Sequence, residues 1–181
     1  KLVGIGLGSN IEPRIEALEK SILWVESLVG KIVRKSKVYE SEPWGVLEQS
    51  HFLNQVVLVE SDLNPIEILQ YLKKIESLLG REEGDDGGLQ DRFGLIFLDR
   101  EIFHSSDLLL PHPSLHERNF VLLPLQEIFP EWIHPTYQMN VPELLRYCRD
   151  EGIVTLYREA KFIVIEGNIG SGKTSLSMML A

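Results

Sequence analysis

Cysteine is nearly absent: Cys148 is the single thiol in 181 residues. One thiol excludes an internal disulfide and fits a reducing compartment. No activating base stands beside it, so its expected role is packing on a C-terminal helix. Positive charge is also short. Eighteen Lys and Arg stand against 27 Asp and Glu, a formal net charge of −9, which argues against non-specific binding to nucleic acid. An anionic ligand would then need locally clustered Arg and Lys, or a metal ion. No apolar run approaches the ~20 residues of a membrane-spanning helix. The start, Lys1-Leu-Val-Gly-Ile-Gly-Leu7, runs into Gly8-Ser-Asn10 with no leader-like pattern. The expectation is a soluble cytoplasmic protein with neither a nucleic-acid nor a membrane partner. What is present, 44% hydrophobic and 25% charged residues, is ordinary globular composition. The length suffices for one domain with a real core and a fragment of another.

Leu2–Leu7 alternates bulky residues with Gly4 and Gly6, as a buried strand does where something approaches its backbone closely. Asn10 is the expected N-cap of an amphipathic helix over Ile11–Val29, closed by Gly30. Lys31–Tyr39 reads as a strand, and Phe52–Glu60, rich in β-branched residues, as a longer one. Asn64 before Pro65 caps a second helix, whose stripe is Ile68, Leu72, Ile75 and Leu79, with Gly80 as its stop. Glu82–Gln90 is acid- and glycine-rich and reads as a mobile loop. Leu95–Leu98 is a short buried strand, with Glu101–Phe103 as its hairpin partner. A helix around Val121–Ile128, a proline-rich crossing over Pro130–Pro135 and a helix over Val141–Asp150 complete the pattern. Strand, helix, strand, strand, helix, strand predicts the ferredoxin-like α+β fold, with helices packed on a mostly antiparallel sheet.

The densest chemistry lies in Pro111-His-Pro-Ser-Leu-His-Glu-Arg-Asn-Phe120, between two apolar runs. A solvated loop accounts for most such stretches. Here His112 and Arg118 suit phosphates and Phe120 suits a flat ring, whereas His116 and Glu117 read as surface residues. Asn54 interrupts an apolar strand. It is either a tolerated edge residue or, if buried, a carboxamide reading the edge of a heterocycle. Trp44, between Pro43 and Gly45, is equally a core anchor or a presented ring. Glu76 and Arg81 could be no more than a boundary ion pair.

Gly6-Leu-Gly-Ser-Asn10, Tyr39-Glu-Ser-Glu-Pro-Trp-Gly45, Phe52-Leu-Asn54, Ile75-Glu76, Gly80-Arg81, Arg92-Phe-Gly94, Pro111-His112 and Arg118-Asn-Phe120 occur in this order. Together they resemble 6-hydroxymethyl-7,8-dihydropterin pyrophosphokinase, over about Leu2 to Pro135. The resemblance implies transfer of pyrophosphate from ATP to the pterin hydroxymethyl group in folate biosynthesis, with Mg2+, on the ferredoxin-like fold. It implies that Phe52 and Phe120 sandwich the pterin. Asn54 would bond its edge, and Glu42, Pro43, Trp44 and Gly45 would complete that pocket. Lys73, Glu76, Arg81, His112 and Arg118 would lie on the ATP side, with Arg81 and Arg92 as the catalytic cations.

One departure bears on the metal. After Arg92-Phe-Gly94 the family continues with Pro, Arg and an Asp-x-Asp pair before its apolar strand; here Leu95 follows Gly94 directly. Mg2+ needs carboxylate oxygens, so the metal ligands are unassigned. Either the sequence as written omits a stretch the protein has, or the protein is a binding module without its own metal site. Omission is expected, because a shortened connection before a buried strand would strain the sheet. Asp99 and Glu101 share one strand face but stand at an expected turn, and Asp85, Asp86 and Asp91 read as solvated loop charges.

The C-terminal stretch is a second motif. Lys161-Phe-Ile-Val-Ile-Glu is strand-like and leads into Gly167-x-x-x-x-Gly172-Lys173-Thr174, a P-loop in its required context. Its wording resembles deoxynucleoside kinases. The expected organisation is a pterin pyrophosphokinase domain over 1–158 and the incomplete front of a fused P-loop kinase domain over 159–181.

Overall fold

The structure, a computed structural model, describes residues 1–10, 12–43, 50–79 and 93–158. Its centre is an antiparallel sheet. Strand β4 (Phe52–Glu60) is flanked along its whole length by β1 (Leu2–Ser9), from Leu2 opposite Glu60 to Ser9 opposite Leu53. On its other side lie β2 (Lys31–Lys35) and then β3 (Tyr39–Ser41). Strand β5 (Phe93–Leu98) pairs with the outer edge of β1. With β8 (Val154–Leu156) on β3, the spatial order is β5-β1-β4-β3-β8. This is the expected ferredoxin-like α+β arrangement, extended at one edge.

Helices pack on both faces of the sheet, and every residue of β4 except Glu60 is buried. On one face Val3, Ile5, Leu7, Val57 and Val59 pack against α1 (Arg14–Leu28) and α2 (Pro65–Leu78). On the other, Val56, Leu58, Ile96 and Phe97 pack against α3 (Asn119–Ile128) and α4 (Val141–Tyr147). A bulge at Gly4/Ile5 lets Ile96 and Phe97, adjacent in sequence, face the same side. The close neighbour implied by Gly4 is the Phe97 ring: a Cβ on Gly4 would lie 2.3 Å from its Cε1.

Local chemistry sets the element ends. Helix α2 begins where the sequence placed it. The Asn64 carboxamide accepts from the Ile66 and Glu67 amides, each at 3.0 Å, and the Glu67 carboxylate accepts from the Asn64 amide in return. Helix α1 does not start from Asn10. Pro13, with its φ fixed by the ring and no N–H to satisfy, precedes Arg14, and its carbonyl accepts from Ala17. Gly30 does close α1. Its φ is +157°, and a Cβ there would lie 2.2 Å from the Glu60 carbonyl oxygen, which is backbone and cannot yield.

Three expectations need correction. The strand expected over Lys31–Tyr39 is two strands, because the Ser36 hydroxyl accepts from the Val56 amide at 3.0 Å in place of a ladder carbonyl. Glu101–Phe103 is not a hairpin partner of β5. Asp99, at φ 45°, turns the chain away, its amide donating to the Leu2 carbonyl and its carboxylate accepting from the Leu2 amide. Strand β6 (Phe103–His104) then pairs with β7 (Leu109–Leu110). The last helix ends at Tyr147, with Cys148 already extended. At the start of β5, Phe93 and Gly94 pair in register with Leu7 and Gly6.

Candidate active site

The face of the sheet that carries Val56 and Ile96 is not fully covered. Gly6 and Gly8 of β1 contribute no side chains there, and beside them opens a narrow cleft. Asn54 and Val56 of β4 and Gly94 and Ile96 of β5 line it from the sheet. His112, Leu115, Arg118 and Phe120 line it from the segment that leads into α3. The wall is largely apolar with a few converging polar groups, as in small-molecule sites generally. Asn54 is 7% exposed and lies on the cleft face by strand alternation. The Arg118 guanidinium carbon stands 5.8 Å from the Phe120 ring centroid, within reach of a cation–π contact.

A second, wider cleft adjoins the first. Helix α2 supplies Lys73 and Glu76, the β6–β7 hairpin supplies Ser105 to Leu109, and the two clefts share Gly94 and His112. His112 is fixed at this junction. Its amide donates to the Ile96 carbonyl at 2.8 Å, and its Nδ1 accepts from the Ser114 amide at 3.1 Å. In the neutral ring the proton is then on Nε2.

The family model described as 7,8-dihydro-6-hydroxymethylpterin-pyrophosphokinase (HPPK) matches residues 4–130. The chain belongs to that family. The 2-amino-4-hydroxy-6-hydroxymethyldihydropteridine pyrophosphokinase of Porphyromonas gingivalis is 37% identical over 139 residues, which are 74% of this chain and 94% of that protein. The protein of the same name from Aquifex aeolicus is also 37% identical, over 78% of this chain and 88% of its own length. A solved HPPK-DHPS triple mutant of Plasmodium falciparum superposes with a TM-score of 0.65 at 17% identity. It matches 80% of this chain and 41% of its own, and it supports the fold alone. The folic acid synthesis protein fol1 of Pneumocystis carinii, 34% identical, is a longer protein, of which the match covers 20%.

Within this HPPK-family chain the expected site residues fall into separate groups. Asn54, His112, Arg118 and Phe120 meet in the narrow cleft, and Lys73, Glu76 and His112 in the wide one. Among the described residues Arg118 lines the narrow cleft with Phe120 and not the wide one. Phe52 is buried on the same strand face as Asn54 but is not among the residues lining the narrow cleft. Glu42 is tied to the sheet edge: its amide donates to the Ile153 carbonyl at 3.3 Å and its carboxylate accepts from the Ile153 amide at 3.4 Å. Pro43 follows it, half-buried. Trp44, Gly45, Arg81, Arg92, Gly167, Gly172, Lys173 and Thr174 lie outside the described residues.

Four findings go beyond the sequence reading. Gly6 and Gly8 form part of the cleft wall, although their motif carried no assigned role. His116, taken as a surface residue, is half-buried: its ring packs 4.7 Å from Tyr137 and its Nδ1 is enclosed without a hydrogen-bond partner. The Cys148 thiol is pushed above its usual range, first by burial, in keeping with a packing role. Asp99 is committed to the start of β1, and Glu101 pairs with Lys1 at 2.9 Å.

Proposed function

We propose that this chain transfers a pyrophosphoryl group from ATP to the hydroxymethyl group of 6-hydroxymethyl-7,8-dihydropterin, releasing AMP, as a step of folate biosynthesis in the cytoplasm. The observation that carries this reading is the junction of two clefts at His112 and Gly94 in an HPPK-family chain. The narrow, mostly apolar cleft with one carboxamide suits a flat bicyclic heterocycle. The wide cleft has room for a nucleoside triphosphate and presents the Lys73 ammonium.

The hydroxymethyl oxygen attacks the β-phosphorus of ATP, the bond from that phosphorus to the α–β bridging oxygen breaks, AMP departs and the hydroxyl proton is released. Such a transfer depends mostly on positioning and charge neutralisation. Phe120 and Asn54 orient the heterocycle, with Phe52 and Glu42–Gly45 completing its pocket. His112 lines both clefts and so stands beside the phosphates where the two substrates meet. Arg118, over the Phe120 ring, adds positive charge where the two substrates meet, and Arg81 and Arg92 are the cations directed at the transferring group. The Mg2+ that this reaction class implies finds no ligand set among the described residues: no group of three His, Cys, Asp or Glu comes together, and Asp99 and Glu101 are engaged elsewhere.

The direct Gly94–Leu95 junction, with no Asp-x-Asp pair between them, favours a second reading, a pterin- and nucleotide-binding module without turnover. Release of AMP from ATP with Mg2+ and the pterin, absent when the pterin is omitted, is the expected result. Binding of both ligands without AMP formation would establish the module instead. In either case Asn54→Ala should weaken pterin binding roughly ten- to fiftyfold and leave ATP binding unchanged; calorimetric titration of each ligand separately checks this.

The pyrophosphokinase domain is proposed to span 1–158. Strand β8 supports that limit, since it pairs with β3 and is followed by a Tyr157 amide bond to the Val38 carbonyl at 2.9 Å. Residues 159–181 are proposed as the front of a P-loop kinase-like unit. The solved multidomain relatives are named with DHPS rather than with a kinase, so this part rests on the Gly167–Thr174 motif alone.

A further inference from the structure

Helix α3 begins without a cap of its own. Arg118, the residue before it, makes no side-chain capping bond, and no acidic residue stands in the first turn. The first amides of a helix have no partner within it. Those of Val121 and Leu122 are met by the Arg118 carbonyl, at 3.1 and 3.0 Å. The Asn119 amide is met from 31 positions away, by the Asp150 carboxylate, at 2.9 Å. The Asn119 side chain returns the bond, its NH2 group donating to the Asp150 main-chain carbonyl. The other carboxylate oxygen of Asp150 accepts from the Gly152 amide at 3.0 Å. An ionised carboxylate and a carbonyl only accept, and a main-chain amide only donates, so the direction of each bond is fixed.

This clasp sits between Arg118 and Phe120, both of which line the narrow cleft. Three residues beyond Asp150, Ile153 is tied to Glu42 through both its carbonyl and its amide. The stretch from Asp150 to Ile153 thus joins the start of α3 to the residue that follows β3, both parts of the proposed pterin pocket. We propose that Asp150 is a positioning residue for the pterin, acting through Asn119: it holds the first turn of α3 and so keeps the Phe120 ring in the cleft wall before the ligand arrives. This rests on the pterin-binding reading above and deepens it. Phe120 is the second residue of α3, and a first turn that loses its partner frays in the free protein. A ligand that needs the ordered turn then binds only the competent fraction of molecules, and its apparent affinity falls accordingly. The wide cleft takes no residue from this turn.

The test measures the affinity of the full chain for 6-hydroxymethyl-7,8-dihydropterin, followed by pterin fluorescence without ATP. Asp150→Ala should weaken binding roughly three- to tenfold. ATP affinity, titrated separately, should change by no more than about twofold. Asp150→Asn should recover most of the loss, since its amide oxygen still accepts from Asn119 while the exposed Gly152 amide turns to water. In a Phe120→Ala background, Asp150→Ala should cost at most about twofold further, because the ring it positions has gone. Asn119→Ala, which breaks the return bond and leaves Asp150 in place, should weaken pterin binding by a smaller factor. It carries the test if Asp150→Ala does not fold, and unchanged affinity in it then overturns the proposal. Unchanged pterin affinity in a folded Asp150→Ala overturns it too, as do losses that add in full in the double variant. A parallel loss of ATP affinity would make Asp150 an anchor of the C-terminal segment and nothing more. In each of these cases the pterin reading survives. A wild-type chain that does not bind the pterin overturns both.

Discussion

Replacing Phe97 by Ala should lower the unfolding free energy by about 4 kcal/mol, measured from urea denaturation midpoints. Phe97 is fully buried. Its ring stacks on Trp132 at 4.4 Å and 21°, and lies 6.1 Å from Phe129. It occupies the space that a side chain on residue 4 would need. The void left by truncation therefore faces a glycine and two large rings already held in place, and local collapse cannot fill it. A companion measurement distinguishes this cavity from a general loss of hydrophobicity. Gly4→Ala alone should destabilise the chain, because its methyl group meets the ring; in the Phe97→Ala background the same methyl group enters the void and should be neutral or better. A loss below about 1 kcal/mol for Phe97→Ala would show that the ring is not the keystone of that face.

Acid should weaken the fold through His134. Burial first, and then the neighbouring charge of His116, lower its pKa from 6.5 to about 4. Its Nδ1 accepts from the Thr136 and Tyr137 amides at 3.2 and 3.4 Å, and its ring packs 4.6 Å from Tyr137 and 5.5 Å from Trp132. A proton on Nδ1 would remove that acceptor and place a charge among rings. The folded state thus favours the neutral form, and the unfolded chain binds the proton more readily. The associated stability is fully present above pH 6.5 and is lost as pH falls towards 4, a difference of roughly 3 kcal/mol. Urea midpoints taken between pH 7 and 4 should show this loss in the wild type and a much flatter profile in His134→Gln. Parallel profiles in the two proteins would assign the acid sensitivity to other groups.

Much of the central layer was legible because its signals are local. Phe52–Glu60 is a dense β-branched run, and its limits are those of β4. The Asn64-Pro65 pair with Glu67 specifies the start of α2 by hydrogen bonds within four residues. What escaped depends on distant partners. The break between β2 and β3 comes from the Ser36 hydroxyl meeting Val56, twenty positions away. The turn at Asp99 is set by β1, at the other end of the chain. Strand β8 is short and exposed on two of its three residues, so no alternation marks it, and it exists because β3 offers an open edge. The site divides in the same way. The motifs identified Asn54, His112, Arg118 and Phe120, whereas the part played by the glycines of β1 follows only from register.

The bulge in the β1–β5 pairing has a bearing on insertions and deletions. Strand alternation normally transmits any slip along the whole strand, because a shift of one residue exchanges its two faces. Here the large ring of Phe97 seated over Gly4, with two successive side chains on one face, marks a single alignment of β5 against β1. The strand is indexed from its C-terminal half. Residues can therefore be gained or lost ahead of Phe93 without changing which face Leu95 or Ile96 occupies. Such a change alters the chemistry delivered to the rim of the clefts and leaves the sheet beneath as it was.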